Sequence, residues 1–324
     1  MVLKPANQWR TRWSTKFEPA GAGAQALLAC PAVLTMMEIA MIETLEDVAR
    51  LEAQGTRFET PCGEGTMVWR RWGAGAPLVL LHGGSGSWTH WVRTIPNLMA
   101  DYEVWAADLP GLGDSAMPPA PLVPQTSAAI VAHGLRSLIT AERQAKLVGF
   151  SFGAHVGTFA AGLLGRHIAS YTIIGTSALG IPRPMLDALP KERSTMGPKD
   201  RRDVHRRVLE ILMLSRPERV TDLAVALQQS NVGKARFRSR KFAPTDNVKR
   251  ALEQVVVPVR SIWGRNDVIA HPTPEACLAV IGEHHPELVS EIIEDAGHWV
   301  MFEQPDAFVA ALRRLFDQPA KHLS

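Results

Sequence analysis

Ser151 stands between two glycines in Gly149-Phe150-Ser151-Phe152-Gly153, behind an apolar run and ahead of small and aliphatic residues with helical spacing. In a strand-to-helix turn this tight, the apex residue takes a strained backbone conformation, and glycines two places before and after it avoid side-chain clashes. The hydroxyl would then project from the top of a sheet, placed to act as a nucleophile. It needs a base to take its proton, and the base needs a third group to fix its tautomer. Reactive groups in open α/β sheets gather at the carboxyl ends of strands, so the turns beyond Ser151 are where those partners are sought. The run 171–174 ends in Gly175-Thr176-Ser177, without an acid. The run 259–263 ends in Gly264-Arg265-Asn266-Asp267, with one carboxylate, and the run 288–293 ends in Glu294-Asp295-Ala296-Gly297-His298. Ser151 as nucleophile, His298 as base and Asp267 as orienting acid form the expected set. Asp295 is read as shaping the turn that presents His298.

Attack on an acyl carbon leaves negative charge on its oxygen, and preorganised backbone N–H groups hold it; losing one such donor costs about 100- to 1,000-fold in rate. Phe152, at the start of the helix, supplies one candidate N–H. Gly84, in His82-Gly83-Gly84-Ser85-Gly86 after an earlier strand, supplies the other. His82 is read as anchoring its loop by hydrogen bonding, and Asp108 and Asp114 as shaping theirs. Trp88, Trp91, Phe152 and Trp299 lie beside strand ends, where they could line an acyl pocket or belong to the core. His284 and His285, in a polar Glu-flanked loop, read as solvated.

The elements that must position these groups follow from hydrophobic period. A helical pattern covers 43–54. Strands 58–61 and 66–72 flank the turn Cys62-Gly63-Glu64-Gly65, and further strands are expected at 78–81, 102–107, 146–150, 171–174, 259–263 and 288–293. Helical patterns fall at 88–98, 126–140, from Ala154 onward, 274–281 and 305–316. Strands alternating with helices imply a mostly parallel sheet with crossovers. From about 185 to 252 the period is helical and basic. Residues 181–255 carry 17 Lys and Arg against 9 Asp and Glu, while the rest of the chain has 18 against 23 and the formal net charge is only +3. The basic excess has three readings: a solvated helical face, a clamp for an anionic substrate, or a surface for an acidic protein or membrane. No nucleic-acid-binding motif accompanies it.

At 324 residues and 46% apolar composition, the chain suits one large α/β domain with an insertion, or two domains. Cys30, Cys62 and Cys277 are odd in number, widely spaced and outside any Cys/His cluster, so neither a disulfide framework nor a metal site is expected. No metal or organic cofactor is required by the residues singled out. The stretch 1–50 holds no clean run of about 18 apolar residues, so no spanning helix is expected. Leu27-Leu28-Ala29-Cys30 has a lipoprotein-box flavour, but Glu18 and Pro19 sit where its apolar core belongs. A cytoplasmic chain is the expectation, with residues 1–55 as an extension and leading helix, partly flexible, and a start at Met36, Met37 or Met41 as an explanation of the leader.

The motifs HGGSGSW (82–88), DLPGLGDS (108–115), GFSFG (149–153), WGRND (263–267) and DAGHW (295–299) resemble those of the α/β-hydrolase superfamily, in the same order and from about residue 57 to 315. The resemblance implies an eight-stranded, mostly parallel sheet flanked by helices, with a core at 56–180 and 256–320 and a helical lid at 181–255. It implies a serine hydrolase of a small carboxylic ester or related acyl bond. HGGSGSW and GHW are also similar to meta-cleavage-product hydrolases, which break carbon–carbon bonds in carboxylate-bearing diketones and use a lid arginine for the carboxylate. Lys234, Arg236, Arg238 and Arg240 are the candidates here, with Arg236 and Arg238 preferred. His90 stands where that group has an Asn, and with Trp88 and Trp299 it completes the expected substrate contacts. A non-catalytic ligand receptor on the same fold is the alternative of another class. The expected partner is a small-molecule acyl substrate, anionic if a lid cation reaches it, with a homodimer left open and neither nucleic acid nor a membrane span.

Overall fold

A computed structural model describes residues 41–182 and 189–318; the calls on residues 1–40, Cys30 included, lie outside them. Eight strands, β1 (Thr56–Cys62), β2 (Gly65–Trp72), β3 (Ala76–Leu81), β4 (Tyr102–Ala107), β5 (Ala145–Phe150), β6 (Ile168–Ile174), β7 (Val259–Gly264) and β8 (Val289–Ile293), form one sheet in the order β1-β2-β4-β3-β5-β6-β7-β8. β2 runs antiparallel to both β1 and β4, and every other pairing is parallel. The parallel strands read as near-continuous apolar runs because helices cover both of their faces.

The helices are α1 (Leu45–Gln54), α2 (Ile95–Leu98), α3 (Pro124–Leu138), α4 (Phe152–Leu164), α5 (Pro198–Leu212), α6 (Asp222–Lys234), α7 (Asn247–Leu252), α8 (Pro274–Gly282), α9 (Val300–Glu303) and α10 (Pro305–Asp317). Alternate residues of a strand face opposite sides, and the core divides accordingly. Val79 and Leu81 of β3 belong to the core cluster that holds residues of α3, α4 and α8, while Leu78 and Leu80 belong to the one that holds Trp91 and residues of α1 and α10. α1 begins in a capping box, with Thr44 accepting from the Asp47 N–H and Asp47 accepting from the Thr44 N–H.

The expected strands all occur. The helix expected at 88–98 is instead a 3₁₀ turn, Trp88–Trp91, followed by the short α2. Thr94 explains the break: its N–H and its hydroxyl both turn back to the Trp91 carbonyl, at 2.9 and 3.0 Å, in place of an α-helical bond. Between β6 and β7 the chain departs from the sheet to form α5, α6, a 3₁₀ turn at Ser239–Phe242, and α7. Among the described residues no helix is long and apolar enough to cross a membrane.

Candidate active site

Ser151 joins β5 to α4 at φ 52° and ψ −115°, the strained left-handed conformation its glycine neighbours predict. Close approach makes both glycines obligatory. A Cβ at Gly149 would lie 2.6 Å from the Gly153 carbonyl oxygen, and one at Gly153 would lie 2.3 Å from the Leu81 carbonyl oxygen. The Ser151 N–H donates to the Ile174 carbonyl at 2.8 Å, fixing the turn to the neighbouring strand.

The turn after β8 brings His298 to Ser151, with Nε2 3.0 Å from Oγ. His298 Nδ1 lies 2.9 Å from both carboxylate oxygens of Asp267, which follows β7. A carboxylate at Nδ1 places the ring proton there, and Nε2 is left to accept from the serine hydroxyl. Asp267 Oδ1 also accepts from the Ile269 N–H at 2.8 Å. Both side chains are buried, and the Phe150 ring lies 4.8 Å from the imidazole, centroid to centroid. The two turns are joined by backbone bonds, Arg265 N–H to Ile293 O at 2.9 Å and Asn266 N–H to Ala296 O at 2.8 Å. Gly175, at φ +53°, closes the group: a Cβ there would lie 2.8 Å from Asp267 Oδ2 and 3.0 Å from His298 Nδ1. Asp295 takes φ +56° and pairs with Arg216 and Arg219, away from the imidazole's carboxylate partner.

Glu303, its side chain wholly buried, accepts from the Gly297 N–H at 2.6 Å and the Ser215 N–H at 2.9 Å, and pairs with Arg219 at 3.2 Å. Trp299 donates its N–H to the Met213 carbonyl at 2.7 Å. The turn carrying His298 is therefore fastened to the stretch after α5. Sequence reading missed Glu303 because it lies beyond the motif, on α9.

The Phe152 N–H is the first of α4, where no intrahelical acceptor exists. The glycine loop after β3 lies against it, since a Cβ on Gly84 would be 3.5 Å from Phe152 Cβ. His82 holds this loop: Nε2 accepts from the Leu109 N–H at 2.9 Å, so Nδ1 carries the proton and donates to the Gly83 carbonyl at 2.7 Å. Burial pushes its pKa down, which suits a neutral structural imidazole. His90 Nδ1 accepts from the Gly83 N–H at 3.2 Å, and burial holds His90 well below the usual histidine range. Asp108 accepts from the Trp88 N–H at 2.8 Å, Arg70 at 3.0 Å and the Asp114 N–H at 3.0 Å, shaping the loops as expected.

A cavity of about 380 Å³ opens over Ser151 and His298. Gly84, Phe152 and His90 line it, as do Met213, Gln228 and Arg240 from the insertion between β6 and β7. Trp88 and Trp299 do not. Trp88 packs on Trp72 with its ring centroid 5.3 Å away, and Trp299 stacks on Phe302 at 4.1 Å while donating Nε1–H to the His90 carbonyl at 2.9 Å. Arg236 and Arg238 are also outside the wall. The Arg236 guanidinium donates to the Ser115 carbonyl, and Arg238 is exposed just before the 3₁₀ turn. His155, one turn after Ser151 on α4, lines the cavity unforeseen, and burial pushes its pKa down to about 4. His285, read as solvated, is buried and bonds the Leu252 carbonyl through Nε2 at 3.1 Å.

The profile of the alpha/beta hydrolase family matches residues 78–311. The chain belongs to that family. This α/β-hydrolase is 30% identical over 246 residues to the dihydrolipoyllysine-residue acetyltransferase component of an acetoin cleaving system from Pseudomonas putida, a match covering 71% of this chain and 60% of that protein. It is 24% identical over 273 residues to the pimeloyl-(acyl-carrier protein) methyl ester esterase of Vibrio atlanticus (strain LGP32), covering 76% of this chain and 96% of that one. Among solved structures, naproxen esterase (carboxylesterase NP) from Bacillus subtilis aligns at 19% identity with a TM-score of 0.66, over 84% of this chain and 96% of that one, a likeness of fold.

Proposed function

We propose that this hydrolase cleaves a small-molecule carboxylic ester through Ser151, His298 and Asp267. The observation that carries the reading is the unbroken relay of 3.0 and 2.9 Å contacts from hydroxyl to imidazole to carboxylate at the floor of a cavity. His298 Nε2 takes the Ser151 proton as Oγ bonds the acyl carbon, and Asp267 stabilises the imidazolium. The N–H groups of Phe152 and Gly84 receive the charge on the carbonyl oxygen. Collapse breaks the bond to the alkoxy oxygen, which leaves as the alcohol with the proton from His298. Water then repeats the sequence on the acyl-serine and frees the acid. The helices between β6 and β7 serve as a lid, a role supported by Met213, Gln228 and Arg240 in the cavity wall. The esterase names of two similar proteins support an ester over the carbon–carbon bond of a diketone.

The test is labelling by a serine-directed fluorophosphonate together with turnover of short-chain p-nitrophenyl esters. Both are expected in the native chain and absent in Ser151→Ala. A folded native chain that neither labels nor turns over esters fits the ligand-receptor alternative and ends this reading.

A further inference from the structure

His155 lines the cavity and is 1% exposed, yet its Nε2 is buried without a hydrogen-bond partner and its Nδ1 bonds none of the described residues. The other buried histidines around the site are engaged: His82 through both nitrogens, His90 with the Gly83 N–H, and His298 with Ser151 and Asp267. Of the buried side-chain atoms left unpartnered among the described residues, that of His155 alone belongs to a residue of the cavity wall. Helical side chains lean toward the N-terminus, which carries this imidazole back toward the nucleophile. Its ring centroid lies 6.0 Å from that of Phe152, whose N–H is proposed to hold the oxyanion. Phe159 stacks on it at 6.0 Å, and Phe242, from the excursion between β6 and β7, meets it edge-on at 6.3 Å.

A buried polar group without a partner is costly. Phenylalanine would fill this aromatic setting without that cost, so packing alone does not account for an imidazole here. Burial, with no charged group opposing it, pushes the pKa down to about 4, so the ring is neutral at pH 7, with one nitrogen donating and the other accepting. An anion would call for the protonated ring, and a cation for a carboxylate, of which the wall has none among the described residues. A hydroxyl both donates and accepts, so it suits the neutral ring in either tautomer. A half-turn of the ring about its bond to Cβ exchanges nitrogen and carbon positions, so any edge turned to the cavity can present a nitrogen. The alcohol of an ester leaves by way of His298, which returns the proton to it, whereas His155 stands on α4 and makes no ring contact with that imidazole. A group held at His155 therefore belongs to the acyl half. We propose that His155 is a specificity residue that hydrogen-bonds a hydroxyl on the acyl part of the substrate, so that this hydrolase prefers esters of hydroxy acids. The inference rests on the ester-hydrolase reading for the bond that is cleaved, and on the cavity alone for the hydroxyl site.

The experiment compares kcat/KM for the methyl esters of 2-, 3- and 6-hydroxyhexanoic acid with that for methyl hexanoate, each divided by the ester's rate of alkaline hydrolysis. The native chain is expected to favour the best hydroxy ester by about 3- to 10-fold. His155→Phe, which keeps the ring packing, is expected to collapse that preference toward one. His155→Gln, which restores a donor and an acceptor, is expected to recover part of it; thermal midpoints establish that each variant is folded. Where a variant does not fold, the decision passes to Ser151→Ala, titrated with the same esters without turnover. The ¹⁵N resonances of its His155 ring are expected to move further on saturation with the best hydroxy ester than with methyl hexanoate. Equal shifts with both esters, no preference for any hydroxy ester, or a preference that survives His155→Phe overturns the hydroxyl site and leaves the esterase reading intact. A hydroxyl-dependent shift of the His155 resonances, in a protein whose native chain cleaves no ester, supports the site and removes the esterase reading.

Discussion

The chemistry proposed here depends on one neutral imidazole whose two nitrogens see different partners. Asp267→Asn keeps the size of the carboxylate but can present an N–H to Nδ1, favouring the wrong tautomer. A fall in kcat of about 10⁴-fold is expected, with KM little changed, measured by steady-state turnover of a p-nitrophenyl ester. Gly175 is a sharper probe, because it touches the pair without supplying a functional group. Gly175→Ala is strained at φ +53° and drives a methyl between Asp267 Oδ2 and His298 Nδ1. It is expected to lower kcat at least about 10-fold while fluorophosphonate labelling slows in parallel. Glycine at this position was visible in the sequence but carried no signal, since its role exists only where three strand ends meet. The catalytic candidates were legible because each occupies a turn directly after a strand. Which lid cation lines the cavity was not legible: Arg236, Arg238 and Arg240 alternate along an irregular stretch, and of the three only Arg240, in the turn at Ser239–Phe242, belongs to the wall.

At the scale of elements, the turn after β8 and the stretch after α5 behave as one unit. Glu303 on α9 ties them through the Gly297 and Ser215 N–H groups and Arg219. Removing one member of a buried charged pair costs about 3 to 5 kcal/mol. Glu303→Gln is expected to lose stability of that order in urea unfolding, and to lower kcat more than it raises KM because the imidazole loses its fixed position. Unchanged kcat in a folded Glu303→Gln protein would assign the residue to stability alone. The sequence pattern located every strand of the sheet, whose apolar runs are long and bounded by turn residues. It misjudged 88–98, where Thr94 redirects two bonds to a single carbonyl, and it left Trp88 and Trp299 undecided because core and pocket demand the same aromatic side chains.

For the whole molecule, a buried neutral histidine is expected to weaken stability in acid. His155 is 1% exposed and its pKa is pushed down to about 4 from a model-peptide value of 6.5. A group whose protonated form is disfavoured by folding adds stability that is complete above its unfolded pKa. That contribution is lost as pH falls from about 6.5 to 4, because the unfolded chain takes up the proton first, and its full size is about 3 kcal/mol. Urea midpoints are expected to drop across that interval, and His155→Phe, which can keep the stacking with Phe159, is expected to flatten part of the drop.

The contact of Gly153 with the Leu81 and His82 carbonyls welds the start of α4 to the end of β3 and the loop after it, leaving no room for even a methyl group on Gly153. Adaptation to a longer or bulkier acyl group therefore falls to the excursion between β6 and β7, which contributes Met213, Gln228 and Arg240 to the wall without lying in that weld. Selectivity for size and bond-breaking machinery are thus separable inheritances, and the helical excursion is the part that descendants of this chain can rewrite while the reacting atoms stay where they are.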